Sequence, residues 1–178
     1  MTGVGSYLPK NKYSNEDLTK FIDTSDEWIT KRSGIKFRHF VSKNETTSDM
    51  AVNAALNAII NAQIKKEVID LIIVATTTPD NTFPATATLV QKKLGINSVS
   101  FDVQAVCAGF VFALSVAKSM MKDNHYSNCL VIGADSMSKL LNWNDRTTSV
   151  LFGDGAGAVI LQKFENTDKK LNDWGILS

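Results

Sequence analysis

The spacing of apolar and polar positions divides the chain into short strands alternating with helices. Residues 69–75 read IDLIIVA, a run rich in β-branched side chains that suits a strand covered on both faces. Residues 99–104, 130–134 and 158–161 read as further strands. Ser14 can cap a helix whose first turn carries Glu16 and Asp17. Thr24-Ser25-Asp26-Glu27 has the form of a capping box, with Thr24 as N-cap and Glu27 three residues on. The helix that follows carries Trp28 and is expected to stop at Gly34. Ser48-Asp49 opens a third helix running to about Ala62, Ala-rich on its buried side. Residues 85–94 predict a helix stopped by Gly95, and residues 108–122 (AGFVFALSVAKSMMK) one apolar almost all round, the pattern of a buried helix. This alternation predicts an α/β layered fold.

A polar, Lys-rich stretch at 165–172 predicts a surface loop. It separates a body at 1–164 from a short segment at 165–178, whose last residues, GILS, read as the start of a strand. The expectation is that further chain follows Ser178.

Composition narrows the function classes. In 178 residues, Lys and Arg total 19 and Asp and Glu 18, so there is no field to recruit nucleic acid or a membrane surface. Neither a secretory leader pattern nor an apolar run of roughly 20 residues is present. Two cysteines, Cys107 and Cys129, fit free thiols in a cytoplasmic protein better than a disulfide. His39 and His125 lack metal-ligand spacing with either cysteine, so no metal site is expected.

The junction FDVQAVCAGF carries the candidate chemistry. A strand runs into a turn, and Cys107 falls at the N-terminus of the apolar helix. There the free backbone N–H groups and the positive end of the helix dipole favour an anion, and the thiolate is the nucleophile. The same N–H groups can receive an oxyanion formed by attack on a thioester. Ala105, Ala108 and Gly109 leave room beside the sulfur. The plain alternative is a small buried hydrophobe, which is the reading given to Cys129 at the head of NCLVIGAD.

These residues lie in a wider resemblance. VQAVCAGF is similar to the nucleophile motif of β-ketoacyl-acyl-carrier-protein synthase III, of the thiolase superfamily. GVGSYLPKN, DTSDEWITKRSGI, ATTTPDNTFPATA and NDRTTSVLFGDGAGAVIL resemble the same family in the same order. The resemblance implies the N-terminal half of a thiolase-like layered fold: a mixed β-sheet flanked by helices, with a buried nucleophile helix. It makes Cys107 the acyl-accepting nucleophile. It sets Trp28 against the adenine of coenzyme A, with Arg146 closing the other face, Arg32 meeting phosphate charge and Thr24 contacting the adenine. It places Phe83 across a homodimer interface, closing the partner's acyl pocket and favouring short primers. Without the resemblance, Trp28 reads as a half-buried helix anchor, the arginines as solvated charges, and Phe83 as a Phe-Pro turn in its own core.

The implied partners are acyl-coenzyme A, as substrate rather than cofactor, and malonyl-acyl-carrier-protein. The implied reaction is a decarboxylating condensation that starts fatty-acid synthesis. The family's catalytic His and Asn belong to a second half, and neither histidine here matches. A first central strand shortened at Met1 is also expected, because the family carries a few residues before GxGSYLP. The glycine-rich run at 152–158 resembles the family's buried structural turn beneath the active site, and it precedes a strand rather than a helix, unlike a dinucleotide fingerprint. The rival readings are a related thiolase-superfamily condensing enzyme, and a catalytically silent fragment or split-protein half acting as a dimerising scaffold.

Overall fold

The computed structural model describes residues 1–122 and 125–164. Five strands form one mixed sheet: β1 (Gly3–Tyr7), β4 (Leu71–Ala75), β5 (Val99–Val103), β6 (Asn128–Ser136) and β7 (Asp154–Gln162), in the order β1-β7-β6-β4-β5. β4 runs parallel to β5 and β6, whereas β7 is antiparallel to β6 and β1. A hairpin-like pair, β2 (Asn11–Ser14) with β3 (Phe37–Phe40), stands apart. The helices are α1 (Asn15–Leu18), α2 (Asp26–Ser33), α3 (Thr47–Ala62), α4 (Thr86–Leu94), α5 (Gly109–Lys122) and α6 (Arg146–Ser149).

The continuous apolar run of β4 has its explanation in two covered faces. All five of its residues are buried. Ile72 and Val74 pack with Ala51, Ala55 and Val90 of α3 and α4, while Leu71, Ile73 and Ala75 pack with Ala113 and Ala117 of α5. Full burial of one such side chain stabilises the fold by about 1.5–3 kcal/mol. Under α3 the fit is closer still. A Cβ on Gly3 would stand 2.3 Å from the Ala58 carbonyl oxygen, and one on Gly5 2.3 Å from that of Ala54. Glycine in β1 and alanine in α3 therefore let backbone meet backbone.

A satellite core joins the smaller elements. Leu18, Ile29, Phe40 and Val150 are buried together, with Tyr13, Trp28, Ile35 and Trp143 packed around them. Trp143 meets Phe40 edge-on at 5.4 Å and donates its Nε1–H to the Ser138 carbonyl at 3.2 Å.

Several expectations need correction. Ser25, not Thr24, caps α2, accepting from the Trp28 N–H; Asp26 and Glu27 are then already helical. α3 starts a residue early, with Thr46 and Asp49 forming the capping box. The glycine-rich run is no buried turn: from Asp154 onward it is β7, with Gly155 to Gly157 half-exposed. β1 lies at the edge of the described sheet rather than its centre. The largest departure is α5. Only Gly109, Ala113 and Ala117 are buried, and Val111 and Phe112 are 60% and 53% exposed. The helix that follows Cys107 is thus buried on one face only, because the described residues place the sheet on one side of it. The segment 165–178 lies outside the described residues. Among the described residues no helix is long and apolar enough to cross a membrane, and no group of three His, Cys, Asp or Glu could hold a metal ion.

Candidate active site

The carboxyl ends of β4, β5 and β6 and the start of β7 open onto one cleft of about 290 Å³, which is where open α/β sheets take ligands. Cys107 lies in its wall and is exposed. The backbone places it there by a sharp change of direction after β5. Val106 adopts φ +48°, the left-handed region, and begins a single 3-10 turn, Val106–Ala108, before α5 starts at Gly109. A β-branched residue held so costs about 1–3 kcal/mol, which the surrounding packing must offset. Gly109 brings the helix start close to Ala75, and Gly133 leaves space for Phe110, whose ring edge a Cβ would meet at 3.3 Å.

Asp135 lines the cleft, and a neighbouring loop that does not line it gathers its hydroxyls and N–H groups around this carboxylate. Asp135 Oδ1 accepts from the N–H groups of Thr77 (2.7 Å) and Thr78 (3.2 Å) and from the hydroxyls of Thr76 and Thr78. Asp80 accepts from Ser48 N–H at 2.9 Å, which fastens the same loop to the start of α3. The loop ends in Phe83, 82% exposed, so the side chain is not packed into its own core. Asp102 receives the N–H groups of Thr86 and Ala87, both at 2.7 Å, and so starts α4 from a strand of the sheet.

Cys129 shows the opposite environment. It is fully buried on β6, and burial pushes its thiol far above the ordinary range, with Asp70 adding to the rise. A neutral, enclosed thiol does not act as a nucleophile.

A second cluster lies on α2 and α6. The Arg32 guanidinium sits 4.2 Å from the centre of the Trp28 ring, and that of Arg146 5.2 Å from it. Arg146 also donates to the Asp23 carbonyl at 2.9 Å. An aromatic ring between Trp28 and Arg146 requires roughly 7 Å, two van der Waals contacts, so the clamp must open by about 2 Å to admit one. Sequence reasoning paired Trp28 with Arg146 and left Arg32 to phosphate; here Arg32 is the nearer of the two. Thr24 follows Asp23, and its hydroxyl is buried without a hydrogen-bond partner. Asp145 caps α6, and the Thr147 hydroxyl and N–H hold its carboxyl below the usual range.

Three residues of this region escaped the sequence reading. Val106 carried no signal, since glycine is the usual mark of a left-handed residue. Asp135 had a weak one, an acid at the carboxyl end of an apolar strand. Arg38 had none; it is an arginine in a short polar strand, yet only 5% exposed. His39 Nδ1 lies 2.5 Å from the Pro9 carbonyl oxygen, and His125 is exposed; neither lines the cleft.

A mixed sheet that delivers an exposed cysteine to the head of a helix crossing its face is a thiolase-like layered fold. The comparisons with known proteins agree. The profile of the family described as 3-oxoacyl-[acyl-carrier-protein (ACP)] synthase III matches residues 101–175. The β-ketoacyl-[acyl-carrier-protein] synthase III of Neisseria gonorrhoeae (strain NCCP11945) is 59% identical over 163 residues, 90% of this chain and 51% of that protein. Its counterpart from Ehrlichia canis (strain Jake) is 59% identical over 167 residues, 93% of this chain and 52% of that one. The crystal structure of 3-oxoacyl-[acyl-carrier-protein] synthase III from Aquifex aeolicus VF5 superposes with a TM-score of 0.88 at 50% identity, covering 92% of this chain and 53% of that one. The chain belongs to the 3-oxoacyl-[acyl-carrier-protein] synthase III family. It spans about half the length of the curated relatives it matches.

Proposed function

We propose that the chain carries the acyl-accepting and coenzyme A-binding part of a β-ketoacyl-acyl-carrier-protein synthase III. The observation that carries this reading is the pairing of an exposed Cys107 at a helix start with a cleft beside it. In the first step the Cys107 sulfur attacks the carbonyl of a short acyl-coenzyme A, acetyl above all. The carbon–sulfur bond to coenzyme A breaks, the thiol proton passes to the departing thiolate, and the acyl group remains on Cys107. In the second, malonyl-acyl-carrier-protein loses CO₂, its α-carbon attacks the acyl carbonyl, and the cysteine sulfur leaves. N–H groups at the start of α5 stabilise the oxyanion. Trp28, Arg32 and Arg146 hold the nucleotide end of coenzyme A by stacking and charge, with Thr24 beside them. Phe83 reaches a second copy and limits the primer there. The site of action is the cytoplasm, as expected for this chemistry on carrier-bound chains.

The test is intact mass after exposure to acetyl-coenzyme A. An acetyl adduct that vanishes in Cys107→Ala supports the reading. Absence of any adduct, or an adduct that survives the substitution, sinks it.

A second reading has its own support. The open apolar face of α5, with Val111 and Phe112 exposed, suits a chain that works only when another layer covers it. On this reading the 178 residues alone do not turn over, because the family's His and Asn are not matched here. Condensation by the isolated chain would overturn it.

A further inference from the structure

Arg38 is an unusual residue for the interior. The residue is 5% exposed, and the acceptors of its guanidinium are neutral: Nη1 donates to Asn15 Oδ1 at 2.7 Å and Nη2 to the Val150 carbonyl at 3.1 Å. Nε is buried without a partner. Burial pulls the guanidinium below its ordinary pKa, though it stays charged. A cation taken out of water without a carboxylate is a poor device for stability, since an apolar side chain of similar volume does as well or better. What a planar, two-pronged donor supplies is geometry.

The two prongs reach separate parts of the Trp28 cluster. Asn15, 1% exposed, passes its own N–H groups to Asp26 Oδ1 at 2.7 Å and to the Ile35 carbonyl at 2.7 Å, gripping both ends of α2. Val150 follows directly on α6, the helix that begins with Arg146. α6 has four residues, too few to hold a fixed direction without tertiary ties. Three residues beyond Val150, Gly153 packs so near the Arg38 Cβ that a methyl group there would approach it to 3.2 Å, and Gly153 lines the Cys107 cleft.

We propose that Arg38 is a positioning residue for the Trp28–Arg146 clamp, fixing the α6 segment against α2 through Val150 on one prong and Asn15 on the other. The proposal rests on the coenzyme A reading of that clamp. Arg38 touches no ligand itself; it acts through Arg146 and Trp28.

The experiment is a double-mutant cycle on coenzyme A affinity, measured by calorimetry on the full chain. Arg38→Lys keeps the charge but reaches only one acceptor. It is expected to weaken binding about tenfold in the unaltered chain and under about threefold where Arg146→Ala is already present, the non-additivity of residues that act through one another. Equal losses in both backgrounds mark a general structural role and overturn the proposal, as does unchanged affinity. Full affinity in Arg146→Ala and Trp28→Ala would instead remove the coenzyme A reading beneath it. Should Arg38→Lys not fold, Asn15→Ser breaks the other leg of the same bridge and enters the cycle with the same two outcomes.

Discussion

α3 and α5 cover opposite faces of one sheet and meet it in different ways. α3 buries eight of its sixteen residues, and its alanine stripe lies on the glycines of β1. α5 is the more apolar helix, yet it buries three of fourteen. One face of the protein is closed by backbone contact; the other leaves Val111, Phe112 and Cys107 exposed. The contrast separates two uses of apolar sequence. On the α3 side it makes the fold, whereas on the α5 side it prepares a surface and holds an exposed sulfur at its edge.

The thiols offer the sharpest way to break this contrast. Iodoacetamide is expected to alkylate Cys107 about a hundredfold or more faster than Cys129, read by peptide mass over time, because one is exposed and the other buried and neutral. Both thiols lie on the α5 side, Cys129 packed beneath the helix with Leu71 and Ala117, so comparable rates would mean that α5 does not close over the sheet. Next come two glycines on paired strands. Gly5→Ala forces a methyl group into the α3 backbone and should cost about 3 kcal/mol or more in denaturant unfolding. Gly157→Ala meets nothing within 4 Å and should change stability by less than about 1 kcal/mol.

A smaller effect is expected on α5. Phe112→Ser should shift stability by no more than about 0.5 kcal/mol, where a core phenylalanine would lose several, while reducing concentration-dependent association in sedimentation. The smallest concerns pH. Asp145, held down by Thr147, and Asp26, held down chiefly by its hydrogen bond from Asn15, both have carboxyls depressed from 3.8 in the folded state. Their contribution is complete above that value and is lost as pH falls through the lower folded values. Acid should therefore loosen α2 and α6 before the sheet, with amide exchange in β4 still slow at about pH 3, and Asp145→Asn should remove part of that loosening.

Much of this was legible from local pattern. Gly34 and Gly95 end their helices in the left-handed conformation that their positions foretold. The burial of β4 followed from an unbroken apolar run, and Cys107 from a strand meeting an apolar helix. The N-cap of α2 was misjudged by one residue because Thr24 and Ser25 are both competent caps, and only the entering chain direction chooses between them.

The sequence by itself determined the strands of the main sheet, helices α1 to α5, the family and the nucleophile candidate, since caps, periodicity and motifs act over three or four neighbouring residues. Only the tertiary structure decided which face of α5 is covered, that β1 lies at the sheet's edge, that Arg32 and Arg146 both meet Trp28, and that Arg38 bridges Asn15 to Val150, which lies 112 positions beyond Arg38 in the chain. Such pairs leave no periodic trace. Their geometry exists only once the sheet has brought distant segments to the same place.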